Sequence, residues 1–239
     1  MNMTIASITL RGLFGRRRFL LLLPMPLMLL GLAWLADALG AAAEDWTPPI
    51  VVGLGFAVVL PVMALIVGTG VLGSEIDDGT LVHVLTKPLP RRDIILAKLA
   101  VAFAVSTLVT GVPMFLIGLI AGSGQLALGL LAAAAAGSLA YSALFLALSL
   151  LTRRPVLVGL AYVLLWEGLL GNVLKGTRFL SIQQYAVSIA DHIAQSPQMP
   201  VHSSISLPVA AALALVVSVA FTVLAVDRLR SFSVAGETS

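Results

Sequence analysis

The chain has 239 residues, 59% of them hydrophobic and only 10% charged, and its mean hydropathy is +1.07. Soluble domains carry about 25% charged residues, so this composition excludes a soluble globule and points to an all-α polytopic membrane protein. The net charge of +3 and pI near 9.7 would suit nucleic acid, a reading that the placement of the bases removes; the lack of cysteine excludes disulfides, thiolate metal sites and a cysteine nucleophile.

In chain order, residues 1–18 carry Arg11, Arg16, Arg17 and Arg18, with Ile5, Ile8 and Leu13 as a weak helical stripe. They form either a short interfacial helix or a plain basic leader. The first span is predicted over 19–39, with Pro24 and Pro26 in its first turns, where a missing N–H costs least. Its arginine run imitates an export signal, but the apolar stretch is longer than the roughly 7–15 residues of a signal core. Glu44, Asp45 and Trp46 then read as an acidic loop with an interfacial aromatic. Pro48 and Pro49 open the second span, 49–73, where Pro61 predicts a kink and Gly68, Gly70 and Gly73 predict close helix contact.

A polar loop, 74–98, separates spans two and three. The third span, 99–122, contains Pro113 and ends on Gly118 and Gly122; a tight turn leads into the fourth, 126–151. The small residues of 132–137 favour packing within one bundle over a dimer seam. Arg153, Arg154 and Pro155 make a basic turn into the fifth span, 156–174. Within the outer helical segment, 175–206, Phe179, Ile182, Ala186, Ile189 and Ile193 recur at helical spacing, and Ser181 with Gln184 fits a capping box. This predicts an amphipathic helix of about 13 residues, too short to span, that lies at the membrane surface or dips partly in. The sixth span is 207–226, followed by a polar tail.

Six spans place both termini, loop 74–98 and the 152–155 turn on one face. That face collects twelve of the fourteen bases, leaving only Lys175 and Arg178 opposite. By the positive-inside rule it is cytoplasmic, and the basic pI reflects topology.

Loop 74–98 holds Glu75, Asp77, Asp78 and Asp93 against Lys87, Arg91, Arg92 and Lys98. Ser74 is placed to cap a helix whose first turn carries the acids. Leu81, Val82, Val84 and Leu85 give a short apolar helix that Pro88 and Pro90 stop, and Pro90 starts the helix entering span three. Spacing alone also fits a solvated loop whose charges only set topology.

The pattern Glu75-x-x-x-Gly79-Thr80-Leu81, followed by Pro88, Arg91 and Lys98, resembles the loop between spans two and three in permease subunits of ATP-binding-cassette transporters of the type-2 exporter family. The six-span layout and the outer helical segment are similar too, so the likeness covers nearly the whole chain. The resemblance implies that the loop is a coupling helix seated in a groove of a separate ATPase subunit. It assigns that role to Glu75, Gly79, Thr80, Leu81, Pro88, Arg91 and Lys98. It also implies a second permease subunit, identical or related, and two ATPase chains carrying ATP and Mg. It further implies export across a bacterial-type plasma or inner membrane. The sequence has no Gly-Lys pair and hence no phosphate loop, so no cofactor and no enzyme activity are expected of this chain itself.

Asp37, near the end of the first span, reaches the outer interface; Glu167 is the acid deep inside an apolar span, a placement that costs roughly 2.5–3.5 kcal/mol at a membrane centre. It either faces the interior near a substrate path or gate, or serves structure through an interhelical hydrogen bond or a protonated carboxyl. A self-contained secondary carrier or channel using Glu167 is the alternative to the permease. A membrane hydrolase is disfavoured, because His83, His192 and His202 fall in polar segments on opposite faces and neither HExxH nor GxSxG occurs.

Overall fold

The computed structural model describes residues 22–77, 90–170, 179–200, 203 and 205–234, and no strand occurs among them. In chain order they form α1 (Pro24–Ala38), α2 (Ala43–Pro48), a π-helical segment (Pro49–Val59), α3 (Leu60–Asp77), α4 (Arg91–Ile120), α5 (Gly124–Leu151), α6 (Pro155–Ala161), a second π-helical segment (Tyr162–Leu170), α7 (Ile182–Ala194) and α8 (Leu207–Val234). Four described runs are long and apolar enough to cross a membrane: Ala43–Leu72, Arg91–Ile120, Gly124–Leu151 and Leu207–Leu229. Pro24–Ala38 and Pro155–Leu169 are shorter apolar helices. The expected coupling helix of loop 74–98 falls mostly on 78–89, outside the described residues.

Helix α5 is the axis. It is uncharged over 28 residues, and it touches α3, α4, α6, α7 and α8. Gly122 turns the chain into it at φ +79, and the Ser123 hydroxyl accepts the Leu126 N–H at 3.2 Å, meeting one of the donors that a helix start leaves without a partner. Lipid supplies no hydrophobic drive between membrane helices, so close van der Waals approach must hold them, and small residues permit it. A Cβ on Gly137 would stand 2.6 Å from a Leu60 methyl and 3.5 Å from Ala186 Cβ. One on Gly129 would stand 3.0 Å from the Ala190 carbonyl oxygen and the Ala194 nitrogen. The small-residue stretch therefore packs within this one bundle. Backbone meets backbone at the α4–α5 turn, where a Cβ on Gly118 would lie 2.4 Å from Ala127 Cα.

The second span begins earlier than its sequence predicts. Glu44, Asp45 and Trp46 are not a loop: Glu44 and Asp45 occupy the first turn of α2, where carboxylates meet the positive end of the helix, and Trp46 is buried. Pro48 and Pro49 lie inside one continuous helical run. Two successive rings offer no N–H to the Glu44 and Asp45 carbonyls and crowd them, and the helix widens to an i→i+5 pattern from Pro49 to Val59. Ordinary α-helix returns at Leu60, beside Pro61.

Helix α3 then runs unbroken through Ser74 and Glu75 to Asp77. Ser74 therefore does not cap a new helix, and the acids close the span instead of opening the loop helix. Gly73 is the only weak point there, and a single glycine costs about 1 kcal/mol in a helix interior. At the far side of the loop the expectation holds: Pro90 is the N-cap, extended at ψ 129, and α4 runs from Arg91 with Asp93 in its first turn and Pro113 buried within it. Helix α8 continues past Asp227 and Arg228 to Val234, beyond the predicted span end.

Helix α7 has the predicted length of 13 residues, but it does not lie flat on the bundle. Its residues Ala190 and Ala194 meet α5 at Gly129, and Ala186 meets it at Gly137. Its start meets α5 at Tyr141, through Glu167. Tyr141 lies seventeen residues along α5, about 25 Å from its start and about 15 Å from its end at 1.5 Å per residue. Helix α7 thus stands alongside α5, from its interior to its Gly124 end. The run from Pro155 through the second π-helical segment climbs from the opposite end to the same level.

Candidate functional site

A buried helix start is costly, because its first N–H groups lack intrahelical partners and lipid offers none. Ser181 and Ile182, at the start of α7, are both buried. Side-chain groups answer two of the three leading amides. The Ile182 N–H donates to Glu167 Oε1 at 2.9 Å. The Gln184 N–H donates to Ser181 Oγ at 3.2 Å. This last bond is the serine half of the expected capping box.

Three hydroxyls also gather on the Glu167 carboxylate. Tyr141 donates to Glu167 Oε1 at 3.0 Å, Tyr162 donates to the same oxygen at 3.1 Å, and the Ser181 hydroxyl donates to Oε2. Glu167 is 1% exposed. A carboxylate accepts without donating, and four donors from three parts of the chain fill it. The negative group also sits at the positive end of α7. Of the two readings open for Glu167, the interhelical hydrogen bond is what the geometry displays. A carrier that used it would need an open face on the carboxylate, and its two oxygens are turned to protein donors.

The second π-helical segment makes the knot possible. Tyr162 and Glu167 are five residues apart. At about 100° per residue in an α-helix they would point about 140° apart, whereas i→i+5 winding stacks them on one side. The knot is closed above by Trp166 Nε1, which donates to the Leu180 carbonyl at 3.2 Å, and by the Tyr185 hydroxyl, which donates to the Phe179 carbonyl. Tyr141 and Tyr162 are participants that sequence reasoning missed, and Ser181 was expected as the cap of α7 but not as a donor to Glu167. One signal was available: the chain has three tyrosines, and all three hydroxyls aim at this break in the helix.

Of the residues assigned to ATPase coupling, Gly79, Thr80, Leu81 and Pro88 lie outside the described residues, as does the side chain of Glu75, whose backbone ends α3. Arg91 begins α4 half-buried, with Nη1 enclosed and without a hydrogen bond. Lys98 is fully buried two turns into α4. Its Nζ donates to the Val71 carbonyl at 2.7 Å, six residues short of the end of α3. Lys98 therefore joins the two helices that flank the loop and does not stand on its surface. Beside it, Arg92 and Leu96 of α4 and Thr222, Val223, Val226 and Asp227 of α8 line a cleft of about 300 Å³.

A family model described as ABC-2 family transporter protein matches residues 16–184, a stretch that includes loop 74–98, Lys98, Glu167 and the start of α7. A search of curated proteins returned no match. With the match spanning most of the chain and several apolar helices packed round α5, the chain belongs to the ABC-2 family of transporter membrane proteins, as a multi-pass permease.

Proposed function

We propose that the chain is the permease subunit of an ABC exporter, and that loop 74–98 couples it to a separate ATPase subunit on the cytoplasmic face. The observation that carries this reading is the Lys98–Val71 joint within the family match. A loop whose two flanking helices are tied at their bases passes a displacement into both spans together, as a coupling element must. Glu75, Gly79, Thr80, Leu81, Pro88 and Arg91 then meet the ATPase, and Lys98 acts one layer in, through the joint. The six-span topology with cytoplasmic termini rests on the distribution of the bases, with the apolar helices Pro24–Ala38 and Pro155–Leu169 belonging to spans one and five. Two permease subunits, alike or related, enclose the path. ATP and Mg reside on two ATPase chains, in a bacterial-type inner membrane.

The test is purification of the tagged chain in mild detergent from cells that express its ATPase, followed by an ATPase assay. Co-purifying hydrolysis that Gly79→Pro and Leu81→Asp abolish is the expected result. A nucleotide-binding chain that stays bound and fully active beside both variants would remove the loop from the coupling role.

A further inference from the structure

Helix α7 is packed along α5 and α8 and touches the first π-helical segment, yet its start is fixed by a group from elsewhere, the Glu167 carboxylate. That group is carried on a segment wound in a pattern that proteins rarely sustain beyond a single turn, here Tyr162–Leu170. The contact that depends on this winding is Tyr162 to Glu167, five residues apart. Every bond that secures the leading amides of α7 converges directly or through one hydroxyl on the same carboxylate.

We propose that Tyr162–Leu170 and α7 form a latch, in which π winding presents Glu167 to the start of α7, and rewinding of the segment to α geometry withdraws the carboxylate and frees that end of the helix. The Tyr162 hydroxyl is the catch, because it holds the winding and donates to Glu167 while making no hydrogen bond to α7 itself. The rest of α7 stays seated. Gly129 and Gly137 hold its later turns against α5, and the Ser188 hydroxyl ties its middle to the Ile205 carbonyl at 2.6 Å. The moving part is therefore the first turn, at the interior level of the bundle, and the pivot lies near Ala186. The latch is a property of this chain alone and does not depend on the direction of transport or on an ATPase.

Hydrogen exchange on the full-length chain in lipid nanodiscs tests this without any partner. The readout compares the amides of Ile182, Gln183 and Gln184 with those of residues 188–194. Glu167→Ala is expected to speed exchange of the three leading amides on the order of 100-fold and to leave the later ones protected. Tyr162→Phe, which removes no bond to α7, is expected to speed the same three by roughly ten-fold. If Glu167→Ala leaves the leading amides slow, there is no docking to release. If all of α7 exchanges together, the carboxylate merely holds the fold and no latch exists. If Tyr162→Phe behaves as the unaltered chain does, winding does not control the release and the proposal fails in its central step.

Discussion

The bundle buries a cation at one place and an anion at another, and the two are settled in opposite ways. Lys98 reaches back seven residues into α4 to share the Val71 carbonyl near the end of α3. Glu167 receives the first N–H of α7 and three hydroxyl donors. The anion lies at the helix pole that favours it, the N-terminal end of α7, whereas the cation meets a carbonyl six residues short of the end of α3. The difference is in what would be stranded without them. The Val71 carbonyl is inside a helix and keeps its ladder partner if the lysine leaves. The α7 amides have no ladder partner at all. The carboxylate thus meets an amide that has no other acceptor, whereas the ammonium meets a carbonyl that already has one.

That contrast is sharpest under truncation. Glu167→Ala strands the Ile182 amide and removes the acceptor of Tyr141, Tyr162 and Ser181, and each buried donor left without a partner should cost about 1–3 kcal/mol. A melting curve of the chain in detergent should show the largest loss of any substitution at either site. A loss no greater than that of Lys98→Met would erase the distinction between the two charges. Tyr141→Phe comes next. It removes one buried donor to Glu167, so about 1 kcal/mol should go with that hydrogen bond.

The helix order was legible because apolar run lengths and proline positions fix it, and α7 was legible down to its Ser181 cap because Ser, Gln and a 3-4 repeat specify a helix start. Glu167 could be singled out as a lone acid in an apolar run. Its partners could not, because Tyr162 is related to it by a spacing of five, which 3.6-residue reasoning separates, and Tyr141 lies 26 residues away on a helix that only packing brings near. The winding itself follows from no single propensity. At the first π-helical segment Pro48, Pro49 and Pro61 bracket the change, whereas Tyr162–Leu170 contains no proline. Lys98 read as a loop residue because charge signals exposure. The helix start at Pro90 was legible, but which face of α4 packs against α3 was not, and that face buries Lys98.

Smaller effects separate the two sites by kind instead of size. Ser181→Ala removes the acceptor for Gln184 and one donor to Glu167, and a lost cap costs about 1 kcal/mol, visible as a modest fall in melting temperature. Lys98→Met should cost less than Glu167→Ala, because an apolar chain of similar volume replaces a buried ion and its desolvation penalty goes with it. If the joint transmits movement, the stable Lys98→Met chain should still bind its ATPase but no longer change that partner's turnover when the loop is engaged. Equal turnover with and without the lysine would make the tie a packing detail, and coupling would then rest on the loop surface alone.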